Sequence, residues 1–257
     1  HKSLGNGVAP NEVYDVYGAD ILRLWVASSD YHADIRISKE ILKQLSDTYK
    51  KIRNTARFIL GNLGDATGFN VEKDIVDVKD LHEIDKWALI RLNSLIEKCK
   101  SAYDAFDFHI VVHSIHNFCV TDMSNFYLDI AKDRLYCTGE KSLDRRAAQT
   151  TMYYILSAVS RLIAEEIWKY MPHPATDDKR SIMMNDMPSA IDVQVDGAFT
   201  EKWDMIYNLR SDVTKALEAK RAEKFIGASL EAKVIINVKD DAAMAEKLAG
   251  YAEELKN

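Results

Sequence analysis

The sequence predicts a mainly α protein: an antiparallel helix bundle followed by the start of a small α/β unit. Three observations carry that expectation. The 257 residues include only 10 Gly and 4 Pro, too few punctuating residues for a strand-and-turn architecture. Leu, Ala, Ile, Glu and Lys are used heavily, which favours long helices. Apolar residues recur at spacings near 3.6 through most of the chain, as amphipathic helices require. With 47% hydrophobic residues, the chain can bury a core in one large or two ordinary domains.

Taken in order, residues 1–37 open within a Gly-rich loop and run at once into NEVYDVYGADILRLWVASS, which reads as the end of a larger domain cut within it. Ser38 is a plausible N-cap. After it Ile41, Leu45, Ile52, Ala56, Ile59 and Leu63 mark an amphipathic helix, which Gly61 and Gly64 help to end. GDATGFNVEKDIVDVKD reads as a connector, and Asp80 with Glu83 resembles a capping box for a second helix with Leu81, Ile84, Ala88, Leu92, Leu95 and Cys99 as its stripe. Residues 108–136 are apolar on more than one face, as suits the centre of a bundle. A fourth helix is predicted from about Leu143 to Met171, stopped by Pro172 and Pro174. Residues 172–197 lack periodicity and read as a long crossing loop and boundary. A fifth helix is predicted over about Phe199 to Lys224, then a strand around Val234, Ile236 and Val238, then a last helix. The expected divisions are 1–37, 38–190 and 191–257.

Composition excludes several classes. Cys99, Cys119 and Cys137 are odd in number and widely spaced, so neither a disulfide framework nor a thiolate zinc site is indicated, and a reduced cytosol is the simplest setting. No apolar run approaches the ~20 residues of a membrane helix. No P-loop, dinucleotide fingerprint, G-x-S-x-G or H-E-x-x-H occurs. His109, His113 and His116 share a helical face, but no carboxylate or thiol completes a ligand set at an obvious spacing. No metal is expected.

The net charge is −6, yet the stretch from Ser38 to Leu63 holds six basic and two acidic residues, a local +4. At 100° per residue, Lys39, Lys43, Lys50, Arg53 and Arg57 fall within roughly 80°, opposite the apolar stripe. Such a stripe is either a solvated face or a phosphate-binding one. A second cluster, Lys215, Lys220, Arg221 and Lys224 with Arg210 nearby, favours nucleic acid. Trp203, Tyr207 and Arg210 at i, i+4 and i+7 offer stacking rings beside a guanidinium, as unstacked RNA bases require, although each ring taken singly reads first as core.

His1-Lys2-Ser3-Leu4-Gly5-Asn6, followed by YGADILRLWVASSDYHADIRIS, KIRNTARFILGNL, NFYLDIAKDRLY, EEIWKYMP and VTKALEAKRAEKFIGASLEAKV, resembles the class I aminoacyl-tRNA synthetases from their KMSKS loop onward, and within them the isoleucine branch rather than the valine or leucine ones. The likeness covers nearly the whole chain. It departs from the usual loop motif at His1 and from the usual tryptophan before proline at Met187. The resemblance implies a bundle of the anticodon-binding type, and a parent enzyme that joins isoleucine to its tRNA with ATP and Mg2+ through an adenylate. It implies that Lys2 is catalytic and that Lys2 with Ser3 contacts the ATP phosphates, where charge grows in the transition state. Residues 1–37 would be the end of the catalytic domain, 38–190 the anticodon-binding bundle and 191–257 a junction unit. The tRNA-binding set is then Lys43, Lys50, Arg53, Arg57, Trp203, Arg210, Arg221 and Lys224. A cytoplasmic monomer is expected that binds isoleucine tRNA, touches no membrane, and as a piece is inactive and needs no cofactor. A protein-binding helical scaffold is the rival from another class.

Overall fold

The structure is a computed structural model that describes residues 8–228, 231–238, 241–252 and 254–256. It falls into two compact units, His1–Val193 and Gln194–Asn257. Among the described residues it is a helical bundle with no strand.

The first unit begins with two short helices, α1 (Pro10–Tyr17) and α2 (Ala19–Ser28). Gly18 joins them at φ +88° and ψ 158°, a region essentially reserved for glycine that costs a Cβ-bearing residue about 1–3 kcal/mol. Val13 and Ile21 pack with Leu42 of α3 (Lys39–Leu63), so this hairpin shares a core with the start of the long helix. Ser38 caps α3, its Oγ accepting from the N–H of Ile41 at 3.2 Å. Ile52, Ala56, Ile59 and Leu63 are buried, as the stripe predicts.

The second long helix, α4 (Glu83–Asp104), starts later than the Asp80–Glu83 box proposed. The residue that reaches back is Asp85, which accepts from the N–H of His82 at 3.3 Å. The predicted central helix is three segments: α5 (Phe108–Asn117), a π-helical stretch Phe118–Tyr127, and α6 (Leu128–Cys137). The wider winding rotates the apolar face between the flanking turns. That accounts for a segment apolar on more than one side: Val111 and Ile115 are buried, then Met123 and Phe126, then Ala131 and Leu135. The loosened backbone is tied to α3, where the Thr55 hydroxyl donates to the Cys119 carbonyl at 3.3 Å and lies 2.9 Å from Ser124 Oγ.

The fourth predicted helix breaks at Ala164 into α7 (Leu143–Ile163) and α8 (Glu165–Tyr170). No glycine or proline marks the break. Its neighbours explain it: Trp168 is fully buried, and its indole N–H donates to the Asp178 carbonyl at 3.2 Å. Glu165 meanwhile accepts from the N–H of Ile182 at 2.9 Å. The crossing loop thus holds α8 where a straight continuation would not. Facing α7 are α3, α4 and α6, and α7 supplies Met152, Ile155 and Leu156 to the core, each such side chain contributing about 1.5–3 kcal/mol on burial.

In the second unit, α9 (Gly197–Ala222) is capped by Asp196, whose carboxylate accepts from the N–H of Phe199 at 2.8 Å. A short helix α10 (Ala242–Gly250) follows, and Lys247 donates to Glu201 at 2.7 Å. The strand expected around Val234, Ile236 and Val238 is corrected: those residues are irregular, and Val234 and Ile236 are exposed. An alternating pattern becomes a strand only with a ladder partner to satisfy its N–H and C=O groups, and the described residues offer none.

Candidate nucleic-acid interface

The packing that buries the apolar stripe of α3 turns its basic flank outward. Lys39, Lys43, Lys50, Lys51, Arg53 and Arg57 are all exposed. Lys50 meets Asp47 at 3.3 Å, both side chains being more than half exposed, a pair worth only ~0.3–0.5 kcal/mol. Lys43, Arg53 and Arg57 make no ion pair with any described residue. From Lys43 to Arg57 the helix rises ~21 Å, so the flank is a line of available cations long enough to follow several phosphates. Three arginines elsewhere in the unit are committed: Arg134 to Asp85, Arg146 to Asp74 and Arg161 to Asp177.

The Asp85 cluster fixes the end of the bundle where α3 finishes. Its carboxylate, with 0% exposure, accepts from both Arg134 terminal nitrogens and from the Tyr127 hydroxyl, each at 2.7 Å. Burial, then the neighbouring carboxylate, pushes the Tyr127 phenol well above its ordinary value, so it stays a donor. α4, the π-helical stretch and α6 are thereby locked together.

Beyond that lock lies a depression of about 470 Å³ lined by Asn54, Arg57, Phe58, Tyr136, Arg145 and their neighbours. Sequence reasoning missed Asn54, Tyr136 and Arg145. Only Asn54 shared a helix with the basic stripe, and no local pattern marks the other two. Tyr136 is 63% exposed, and its hydroxyl accepts from Asn62 Nδ2 at 3.4 Å. Arg145 carries a buried Nε with no hydrogen-bond partner.

The second basic cluster is different. Lys215 pairs with Asp212 at 3.1 Å, Lys220 with Glu223 at 2.7 Å, and Arg221 with Glu218, each one turn away. Arg210 is half-buried and engaged, and Lys224 is exposed. Trp203 is corrected as a stacking ring: it is 4% exposed and lies 6.2 Å from Phe199. Its apolar area outweighed the exposure that base stacking needs. The structure does not bring Trp203, Arg221 and Lys224 together as an open platform. Lys2 and Ser3 lie outside the described residues.

His109 and His116 are half-buried and His113 exposed, and no group of three or more metal-ligating side chains converges among the described residues. Burial pushes the Cys99 thiol up to about 11 and that of Cys119 to about 12, which leaves both inert as nucleophiles at neutral pH. No described helix is long and apolar enough to cross a membrane.

Comparison with known proteins supplies context for this flank. Residues 85–236 match the family model of the anticodon-binding domain of tRNA ligase, and residues 1–38 match that of class I tRNA synthetases for isoleucine, leucine, methionine and valine. A protein of Natranaerobius thermophilus named isoleucine–tRNA ligase is 47% identical over 262 residues, covering 99% of this chain and 27% of the relative. Proteins of the same name from Syntrophotalea carbinolica and Caldicellulosiruptor bescii are 48% and 52% identical, over 99% and 93% of this chain. The chain spans about a quarter of the length of these relatives, 27% and 26% for the last two.

Proposed function

The chain belongs to the family of the anticodon-binding domain of tRNA ligase, and from that membership we propose that it is the tRNA-gripping part of an isoleucine–tRNA ligase. The observation that carries this reading is the exposed cationic flank of α3, in which Lys43, Arg53 and Arg57 make no ion pair with any described residue. Each phosphate such cations neutralise releases condensed counterions, so the grip weakens steeply with salt. Contacts of this kind position an RNA without reading its sequence, and discrimination falls to groups that meet unstacked bases.

In this reading residues 1–37 are the end of a catalytic domain and its stem-contact segment, residues 38–190 the anticodon-binding bundle, and residues 191–257 a junction unit. The names of the relatives support isoleucine over valine or leucine. The whole enzyme uses ATP with Mg2+ and acts as a cytoplasmic monomer; Lys2 and Ser3 are the parts of this chain assigned to the ATP phosphates. The piece itself has no activity of its own. In the second unit Arg210 and Lys224 keep a supporting role on the RNA backbone.

The test is a gel-shift competition between isoleucine and valine tRNAs with the wild-type chain and the Arg53→Glu/Arg57→Glu variant. The wild type should bind and prefer the isoleucine tRNA, and charge reversal should weaken both RNAs by a similar factor. Unchanged binding after reversal removes α3 as the contact surface, and a preference for the valine tRNA removes the isoleucine assignment.

A further inference from the structure

A second depression of about 470 Å³ opens at the start of α3, lined there by Ile41, Leu45 and Thr48 and on its other side by Trp25 and the loop that follows α2. We infer that it is a site for a primary alkylammonium, an ammonium group carried on a methylene stem, with Trp25 as its aromatic wall and Asp30 and Asp34 as its counter-charges. At 100° per residue the lining residues of α3 lie about half a turn from Lys43, Arg53 and Arg57. The inference therefore stands apart from the RNA-binding reading, and neither needs the other.

Local hydrogen bonds have used the indole and hydroxyl donors around this space and left its acceptors. The Trp25 indole N–H donates to the Arg36 carbonyl at 3.2 Å, so what the half-buried ring offers the cavity is its π face. The hydroxyls of Ser28 and Ser29 both donate to the Trp25 carbonyl, at 3.2 and 2.7 Å, and a hydroxyl whose hydrogen is committed can only accept. Asp30 Oδ1 accepts from the N–H of His32 at 3.0 Å, while Asp34 makes no hydrogen bond or ion pair with any described residue. An ammonium has three donors and no acceptor, so it complements these oxygens, and its charge is attracted to the indole face. Ile35, Ile41 and Leu45 extend the wall, an apolar surface of the kind along which methylene stems lie. Arg36 is the opposing group, since its guanidinium lines the same space without an acidic partner among the described residues. Two carboxylates outnumber it, so a cation is favoured over an anion, and the Arg36 charge lowers the affinity of that cation.

Trp25 supplies the readout. Of the four tryptophans, Trp87, Trp168 and Trp203 are buried, so acrylamide quenching of the 257-residue chain reports first on Trp25. Quenching would be followed during titration with cadaverine, with pentyltrimethylammonium, which keeps charge and stem but has no N–H, and with pentanoate, which reverses the charge. Nα-acetyl-lysine amide is the fourth probe, because an ammonium on a methylene stem belongs to a lysine side chain as well as to a free diamine. The variants are Asp34→Asn and Arg36→Gln, both at exposed positions, with melting curves to show that the fold is kept. Trp25→Phe, in which the ligand-sensitive part of the quenching should vanish, identifies the reporting ring.

Cadaverine should shield Trp25 from the quencher, and Asp34→Asn should weaken its binding about tenfold, as the loss of one charge-assisted hydrogen bond does. Arg36→Gln should tighten it, because the repelling charge is gone. Shielding by Nα-acetyl-lysine amide at least as strong as by cadaverine identifies a lysine side chain as the source of the ammonium, and shielding by cadaverine alone identifies a free diamine. Four results overturn the site: no shielding by cadaverine, equal shielding by pentanoate or pentyltrimethylammonium, no change in Asp34→Asn, or weaker cadaverine binding in Arg36→Gln. None of them bears on RNA binding by α3, which is read separately by the gel shift.

Discussion

Replacing Asp85 by alanine tests whether the carboxylate at the bundle's end holds the helices in place. The substitution removes the acceptor of four donors: two Arg134 nitrogens and the Tyr127 hydroxyl at 2.7 Å, and the N–H of His82 at 3.3 Å. Arg134 has a side chain only 15% exposed, so its charge is left largely out of water without a partner. Breaking such a pair from one side costs about 3–5 kcal/mol. With a urea slope of ~2 kcal/mol/M, the unfolding midpoint should fall by roughly 2 M. Circular dichroism against urea reads it directly. Arg134→Met, Tyr127→Phe and Asp85→Leu together remove every buried polar partner at once, and this triple variant should unfold at higher urea than Asp85→Ala alone. A midpoint drop under about 0.5 M for Asp85→Ala, well short of that shift, or a triple variant weaker than the single, would refute the reasoning.

Other consequences are open to simple assays. Thr55→Val strips the hydroxyl that ties α3 to the π-helical stretch and should cost about 1–2 kcal/mol in a thermal melt, with Thr55→Ser nearer wild type; an unchanged melting point contradicts it. Of the three cysteines, only Cys137 is exposed, so a thiol reagent at pH 8 should label one sulfur in the native chain and the others only after denaturant is added. The Arg180 side chain beside Asp178 holds its carboxyl at about 2, below the ordinary 3.8. A lowered value in the folded state stabilises above the unfolded value and is lost as pH falls through the folded one. Amide protection near Asp178 should therefore fall between about pH 4 and 2, and Arg180→Gln should flatten that change.

How much of this was legible in the sequence depends on whether the signal was local. Ser38 and the stripe of α3 were readable, since a cap and a 3.6-residue period act within a few turns. The exposure of the basic flank follows from the same period, because burying one face of a helix turns the other outward. The start of α4 was misplaced because Asp80–Glu83 and His82–Asp85 are both acceptable boxes, and the choice is made by Arg134 and Tyr127, far along the chain. The break at Ala164 has no local mark and follows from the burial of Trp168 under the crossing loop. Trp203 showed the right spacing for a stacking ring, but spacing does not report burial. Tyr136 and Arg145 join Asn54 and Arg57 only when α6 and α7 return to the end of α3, so no single-helix pattern could have named them.

The dependence of binding on salt, compared between the wild-type chain and the Lys43→Gln/Arg53→Gln/Arg57→Gln variant on isoleucine tRNA, bears most directly on the cationic flank. Three fewer neutralised phosphates, each accounting for ~0.7–0.9 released counterions, should make the slope of log affinity against log salt shallower by about 2 to 3. A slope unchanged by the three substitutions would contradict the assignment of α3 as the surface that meets the RNA backbone.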